Sequence, residues 1–508
     1  MATAPTELIT LRERMAELTD LGAVSSLLFW DQNTMMPHGA AAARADQAGS
    51  LERVLHERLT DPEVGRLLDA LAPWAAGEDP EAEDVRLLHW VRRDYEKATR
   101  VPTDLAVELT HAAALGEQAW LEARAASDFG RFRDALARHI ELKHRYVACF
   151  EGFAHPYDAL LDDYEPELTA AELRPLFSAL GEALTPLVAA AGDPEQPSNG
   201  GVFAGHYPAD KQRRTVLEVL EVVGFRPDAW RLDPAPHPFA MSVAAGDVRI
   251  TTRYDDDDFG MAFFSALHEF GHGLYESQVD PALHRTPLGV PVSLGVHESQ
   301  SRLWENLVGR SRPFSGWVLP RLQSRLDGPL AGLGPDELYR AVNTVKPSLI
   351  RVEADETTYN LHVVLRFELE LAMIEGTLAV DDLPQAWNEG MARLLGVAVP
   401  DDAHGVLQDV HWGAGMIGYF PTYTIGNLMA AQLWERLRAD LPDVDERIAA
   451  GEFAPLREWL RENIHRHGRK LAPRDLLRRV TGEELRVEPF TGYLSAKLAD
   501  AGLLGGAR

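Results

Sequence analysis

Cysteine is almost missing from this sequence: Cys149 stands alone among 508 residues. A lone thiol cannot close an intramolecular disulfide, and it excludes zinc and iron–sulfur centres built on cysteines, so any metal must be held by His, Asp or Glu. Long apolar runs are missing too. No stretch approaches the roughly 18 residues of a membrane-crossing helix, and the opening MATAPTELITLRERMAEL lacks a basic segment followed by an apolar one. The expectation is a cytoplasmic protein with no membrane partner. Positive charge is scarce, 50 Lys plus Arg against 78 Asp plus Glu, giving a formal net charge of −28 and a pI near 5.0. Nucleic acid is repelled by that field unless a local basic patch intervenes, so it is not an expected partner. What remains, 45% hydrophobic and 25% charged, is the composition of a folded globular protein. The length allows about three average domains or one large body with a deep interior.

The apolar residues recur mostly with helical spacing. Glu63 to Leu71, Asp84 to Tyr95 and Phe132 to Tyr146 carry them three and four apart with charge between. Start signals agree: Asp61-Pro62-Glu63 offers an N-cap with Pro at the first helical position, and Thr169 to Glu172 is a capping box. The stretch from Ala191 to Val202, AGDPEQPSNGGV, reads as a loop between an N-terminal helical layer, residues 1–190, and the remainder, 203–508. One region breaks the rhythm. Phe239 to Val243 and Val248 to Tyr254 flank a Gly-containing turn and predict a β-hairpin, followed by Asp255 to Asp258, an acidic turn able to cap the next helix.

That helix, expected over 259–277, contains His268-Glu269-Phe270-Gly271-His272. Imidazoles four residues apart on a helix project from one face about 6 Å apart along the axis, a spacing that lets both bind one tetrahedral ion. Glu269 then reaches an activated water as general base. Phe263, Phe264, Leu267, Phe270 and Leu274 make the helix apolar on most sides, and buried histidines beside a buried carboxylate are costly unless hydrogen-bonded or metallated. Gly271 and Gly273 weaken a helix by about 1 kcal/mol each, which suggests that something approaches its backbone closely. A catalytic site wants a third protein ligand and an open position. The pattern with a third His six residues on is absent, since Tyr275 and Gln278 occupy the diagnostic positions. A later helix around Ser293 to Glu305 offers Glu298, with His297, Glu305 and Glu276 as alternatives; Glu298 could instead pair with Arg302 four residues on.

Together with HEFGH (268–272), the segments HPF (237–239), DVRITTRYD (247–255), HESQSRLWEN (297–306), IRVEADETTYNLH (350–362), GVLQDVHW (405–412) and GYFPTYTIGN (418–427) resemble the carboxypeptidase Taq-like metallocarboxypeptidases. The resemblance runs over most of the chain and implies a mainly α, single large helical peptidase body over 1–508. Two lobes would flank a deep groove, with a small β-hairpin or sheet beside the active site. It implies His268, His272 and Glu298 as metal ligands, Glu269 as general base, and zinc or cobalt as the ion. It further implies release of single C-terminal residues with broad specificity and proline disfavoured, and a homodimer. His237 and Gln408, within two of those segments, join the substrate-contact candidates. Gly273 stands where Ala is more usual in the family.

An exopeptidase acting on free C-termini needs a placed cation, and an arginine fork suits a carboxylate. Arg351 is the first candidate, at the start of an expected helix in which Asp355, Thr358 and His362 follow at helical spacing; an internal pair with Asp355 is the competing reading. Arg249 and Arg253 on the hairpin come next, then Lys346. For the oxyanion, Tyr423 just after Pro421 leads, with Tyr419 its competitor, and His411 could hold the substrate carbonyl or carboxylate. The strand from Val248 to Tyr254 could pair with an extended substrate. His465 and His467 read as cations at a helix C-terminus, and Cys149 as a buried small hydrophobe. The rival enzyme classes are a metallo-endopeptidase or oligopeptidase and an aminopeptidase. A di-iron carboxylate protein is the rival of another class, through Glu141-x-x-His144 and Glu269-x-x-His272.

Overall fold

Helical periodicity becomes helix throughout the computed structural model, which describes residues 5–193, 195–326 and 328–504. Twenty α-helices and one three-stranded sheet are formed among them. The segment from Glu63 to Leu71 lies in helix Pro62–Ala75, whose Val64, Leu67, Leu68 and Leu71 are buried and whose N-cap Asp61 accepts the Glu63 amide at 2.9 Å. Thr169 and Glu172 form the expected reciprocal box at the start of helix Ala170–Ala191. After Ala191, which ends that helix, the described residues up to 202 carry a 3₁₀ turn, Ser198–Gly201. One contiguous apolar core runs from Leu8 to Leu494 and joins the N-terminal helices to the rest.

The hairpin forms as β2 (Ala240–Ala244) and β3 (Asp247–Thr252), joined by a strand the sequence pattern missed, β1 (Trp230–Pro234). The order is β1-β3-β2, with β1 parallel and β2 antiparallel to β3. β3 is therefore central, both its edges are occupied, and no substrate strand can add to it; the outer edge on the hairpin side belongs to β2. Helix Phe259–Ser277 follows with the expected bounds, capped by Asp258, which accepts the Gly260 amide at 2.7 Å. Its two glycines mark the predicted close approaches. A Cβ on Gly273 would lie 2.8 Å from Val248 Cγ1 and 2.9 Å from the Trp230 ring, and one on Gly271 would lie 2.6 Å from Cα of Ser301. Sheet and partner helix thus press on opposite sides of the HEFGH segment.

Candidate active site

The partner helix is Leu294–Arg302, continued without a break by a π-helical stretch, Leu303–Val308. Ser293 caps it, and the buried Glu165 secures the same end by accepting from Ser293 Oγ at 2.8 Å and the Gly295 amide at 2.9 Å. Helix Pro421–Asp440 crosses it so closely that a Cβ on Gly426 would lie 2.6 Å from Cβ and Cγ of Glu298. Backbone contacts from two sides therefore fix where the Glu298 carboxylate points.

It points at the two histidines. His268 Nε2 and His272 Nε2 are 3.2 Å apart, and Glu298 Oε2 stands 3.5 Å from the first and 3.3 Å from the second. Ligands held at roughly 2.0–2.1 Å in a tetrahedron stand about 3.3 Å from one another, so these three atoms already form one face of such a shell. Among the described residues no other group of three or more His, Cys, Asp or Glu side chains could share an ion. The histidines keep 18% and 13% of their side-chain surface exposed, which leaves the outer face open to a water or a substrate.

The alternative reading of Glu298 as a salt-bridge partner holds as well, because its two oxygens divide the work. Oε1 takes Arg302 Nε at 2.7 Å while Oε2 faces the imidazoles and accepts Ser301 Oγ at 3.0 Å. Burial opposes the charge of Glu298, yet Arg302 and His268 outweigh it and hold the carboxyl well below its ordinary range. Glu305, weighed as a ligand, sits instead behind His268, with Oε2 2.9 Å from Nδ1; burial again opposes, but Arg302 and His268 bring it to about 2. His297 turns from the ion position too. Its ring lies tilted against that of His272, centroids 4.2 Å apart, and it pairs with Glu276 at 3.1 Å. Glu269 is buried, its Oε2 has no hydrogen-bond partner, and burial pushes it up to about 8. Its unpaired oxygen lies where the charges of His268 and Glu298 act on it, beside the triangle.

The second cluster lies around Arg351, which does not open a helix. It sits in a 3₁₀ turn, Arg351–Glu353, and helix Tyr359–Glu375 begins eight residues later, because Asp355 draws in the amides of Lys346, Thr357 and Thr358 as a turn-forming acceptor. The competing Arg351–Asp355 pair is thereby excluded. The partner of Arg351 is Asp409, whose Oδ1 accepts Nε at 3.1 Å and Nη2 at 2.7 Å, while Nη1 donates to Tyr359 Oη at 2.9 Å. Gln408 braces the turn: its Oε1 accepts the Arg351 amide and its Nε2 donates to the Leu349 carbonyl, so its amide is engaged within the protein. The guanidinium lies 4.8 Å over the Tyr423 ring, and Tyr423 Oη meets His411 Nε2 at 3.1 Å. Burial, followed by Arg351, pushes His411 down to about 3. Tyr419 packs against both His411 and Tyr423, ring centroids 5.3 and 5.4 Å away. The charge of Glu298 acts on the hydroxyls of Tyr359, Tyr419 and Tyr423, and Arg302 lies 4.3 Å over the Tyr359 ring, so the two clusters adjoin.

Other candidates fall elsewhere. Arg249 forks onto Asp247 and stacks on Trp30 of the first helix; His237 and Arg253 are exposed, flanking β2 and β3. Glu141 and His144 are exposed on helix Gly130–Val147, outside the ligand group, which overturns the di-iron reading. His465 is no surface cation at a helix end. It is fully buried between Gln278 Oε1 (2.7 Å) and Gln300 Oε1 (2.9 Å), and burial brings it to about 3. Cys149 is half-buried rather than buried.

A mostly helical body with an HExxH helix, a converging glutamate and an unpartnered glutamate between the histidines defines a metallopeptidase. Residues 10–498 match the family described as carboxypeptidase Taq (M32) metallopeptidase, and the chain belongs to that family of metallocarboxypeptidases. It is 44% identical over 503 residues to thermostable carboxypeptidase 1 of Thermus thermophilus, covering 97% of this chain and 98% of that protein. Carboxypeptidase 1 of Bacillus subtilis is 37% identical over 498 residues, with 98% of each chain covered. The crystal structure of the M32 carboxypeptidase from Deinococcus radiodurans superposes with a TM-score of 0.93 at 42% identity, over 98% of this chain and 100% of that one. No described helix is long and apolar enough to cross a membrane.

Proposed function

We propose that this metallopeptidase releases single amino acids from free peptide C-termini, with His268, His272 and Glu298 holding zinc or cobalt and Glu269 as general base. The observation that carries the reading is the 3.2–3.5 Å triangle of ligand atoms, adjoining an arginine with donors to spare. When bound, the ion supplies Lewis-acid polarisation of the scissile carbonyl and acidifies a water. Glu269 takes that water's proton on its free Oε2 and returns it to the leaving amine. Tyr423 Oη, positioned by His411, donates to the oxyanion, with Tyr419 beside it as the alternative donor. Three of the five N–H groups of Arg351 are engaged, by Asp409 and Tyr359, and the other two receive the substrate carboxylate. An extended peptide has the edge of β2 to lie along. Broad specificity with proline disfavoured, a homodimer and a cytoplasmic setting complete the proposal on the strength of the family likeness.

The test is Glu269→Gln, which is expected to keep one ion per chain by elemental analysis while hydrolysis of an N-blocked dipeptide drops by about a hundredfold or more. Turnover at the parent rate would remove Glu269 from the role.

A further inference from the structure

Arg366 on helix Tyr359–Glu375 is fully buried, and it shares its only carboxylate. Asp409 gives Oδ1 to Arg351 and Oδ2 to Arg366 Nε, the latter at 2.7 Å. The other partners of Arg366 are neutral: Nη1 donates to the His362 carbonyl at 2.8 Å, and the guanidinium lies 4.5 Å over the Trp387 ring. Two cations thus face one anion. The neighbouring buried acids are committed elsewhere, Glu370 to Tyr157, Trp412 and the Gly418 amide, and Asp355 to the backbone of its own turn. Among the directly paired side chains, two guanidinium groups therefore meet one carboxylate, an excess of positive charge that an incoming anion can balance. That charge is presented by Arg351, whose guanidinium lies over the ring of Tyr423, the residue that meets His411. Without Arg366, Arg351 and Asp409 would form a neutral pair, and an entering carboxylate would meet repulsion from Asp409 as well as attraction to Arg351.

We propose that Arg366 is a positioning residue of the carboxylate site: by occupying Oδ2 of Asp409 it keeps Arg351 cationic toward the peptide C-terminus, without touching substrate itself. This rests on Arg351 as the carboxylate-binding group. In full-length enzyme carrying Glu269→Gln, calorimetric titration with an N-blocked dipeptide and with its C-terminal amide separates the charge from the rest of the ligand. Adding Arg366→Gln is expected to weaken the free acid at least about tenfold, as removal of a unit charge several ångströms away should. The amide is expected to bind as before, and Arg366→Lys should recover part of the preference for the acid. Asp409→Asn keeps both cations and loses their anchor, so in the Glu269 enzyme kcat should fall while the preference for free acid persists. Equal weakening of acid and amide by Arg366→Gln, or none, overturns the proposal. If that variant does not fold, Asp409→Asn decides, and loss of the acid preference there overturns it. Equal binding of acid and amide before Arg366 is changed would instead remove the assignment of Arg351.

Discussion

His268 can offer Nε2 to an ion only if Nδ1 is held elsewhere, and Glu305 holds it at 2.9 Å. A carboxylate behind a ligating imidazole fixes its tautomer and ring angle and raises its basicity; removing such a partner typically lowers metal affinity about 10- to 100-fold. Glu305→Gln is expected to weaken binding within that range, measured by competition with a chromophoric chelator. Unchanged affinity would mean that Glu305 serves Arg302, which donates to it at 3.2 Å, and not the histidine. The i,i+4 histidines and the glutamate between them announce their geometry in the sequence, because a helix converts spacing into direction. Glu298 and Glu305 both sit near Arg302 at helical spacing, and only the crossing of separate helices decides which one faces the Nε2 atoms of both histidines. Asp409 and Arg366 gave no local signal, since their partnership spans 43 residues and depends on the turn that carries Arg351.

At the scale of elements, the site depends on helices that approach more closely than side chains usually permit. Gly271 admits the backbone of Ser301, and Gly426 admits the side-chain stem of Glu298. Gly426→Ala places a methyl group 2.6 Å from Glu298 Cβ, so the helices must separate or the carboxylate must swing. The expected result is a loss of about 1–3 kcal/mol in denaturant unfolding together with weaker metal binding. Gly181→Ala is the matched comparison: on helix Ala170–Ala191 its new Cβ meets Leu394 and Val364 at an ordinary 3.8 Å. It should be neutral, or stabilising by up to about 1 kcal/mol, with metal binding intact. Equal effects from the two changes would show that the crossing does not constrain the site. The hairpin was legible because β2 and β3 are adjacent in sequence across a Gly-containing turn and β3 is rich in β-branched residues. β1 was not, because Trp230–Pro234 pairs in parallel with a strand that is not its neighbour in sequence, and the alternation in WRLDP spans only five residues and ends in Pro. The expected helix at Arg351 failed for a similar reason: Asp355 offers the backbone a competing set of hydrogen bonds.

For the whole molecule, buried ionisable groups that support the helix carrying Glu298 make stability depend on pH in two opposed ways. Burial lowers His465 to about 3 from an ordinary value of 6.5, so its contribution is present above about 6.5 and is lost as pH falls toward 3. Burial raises Glu165 to about 7 from 4.5, against the hydrogen bonds from Ser293 and Gly295. Its contribution has the other sign: it is present below about 4.5, where folded and unfolded forms are both protonated, and is lost as pH rises toward 7. Because the opposed slopes overlap, the stability profile of the parent enzyme cannot isolate either group, but a difference between variants can. Glu165→Gln mimics the protonated side chain, since its carbonyl can accept the Gly295 amide while its amide donates to Ser293 Oγ. Relative to the parent, Glu165→Gln is expected to be nearly equally stable near pH 4.5 and more stable by roughly 3–3.5 kcal/mol at pH 8, the free energy of a shift of this size. Denaturant midpoints measured at both pH values decide the matter. A constant difference would mean that Glu165 stays ionised in the fold, acting as a fixed negative charge at the N-terminus of the helix that presents Glu298.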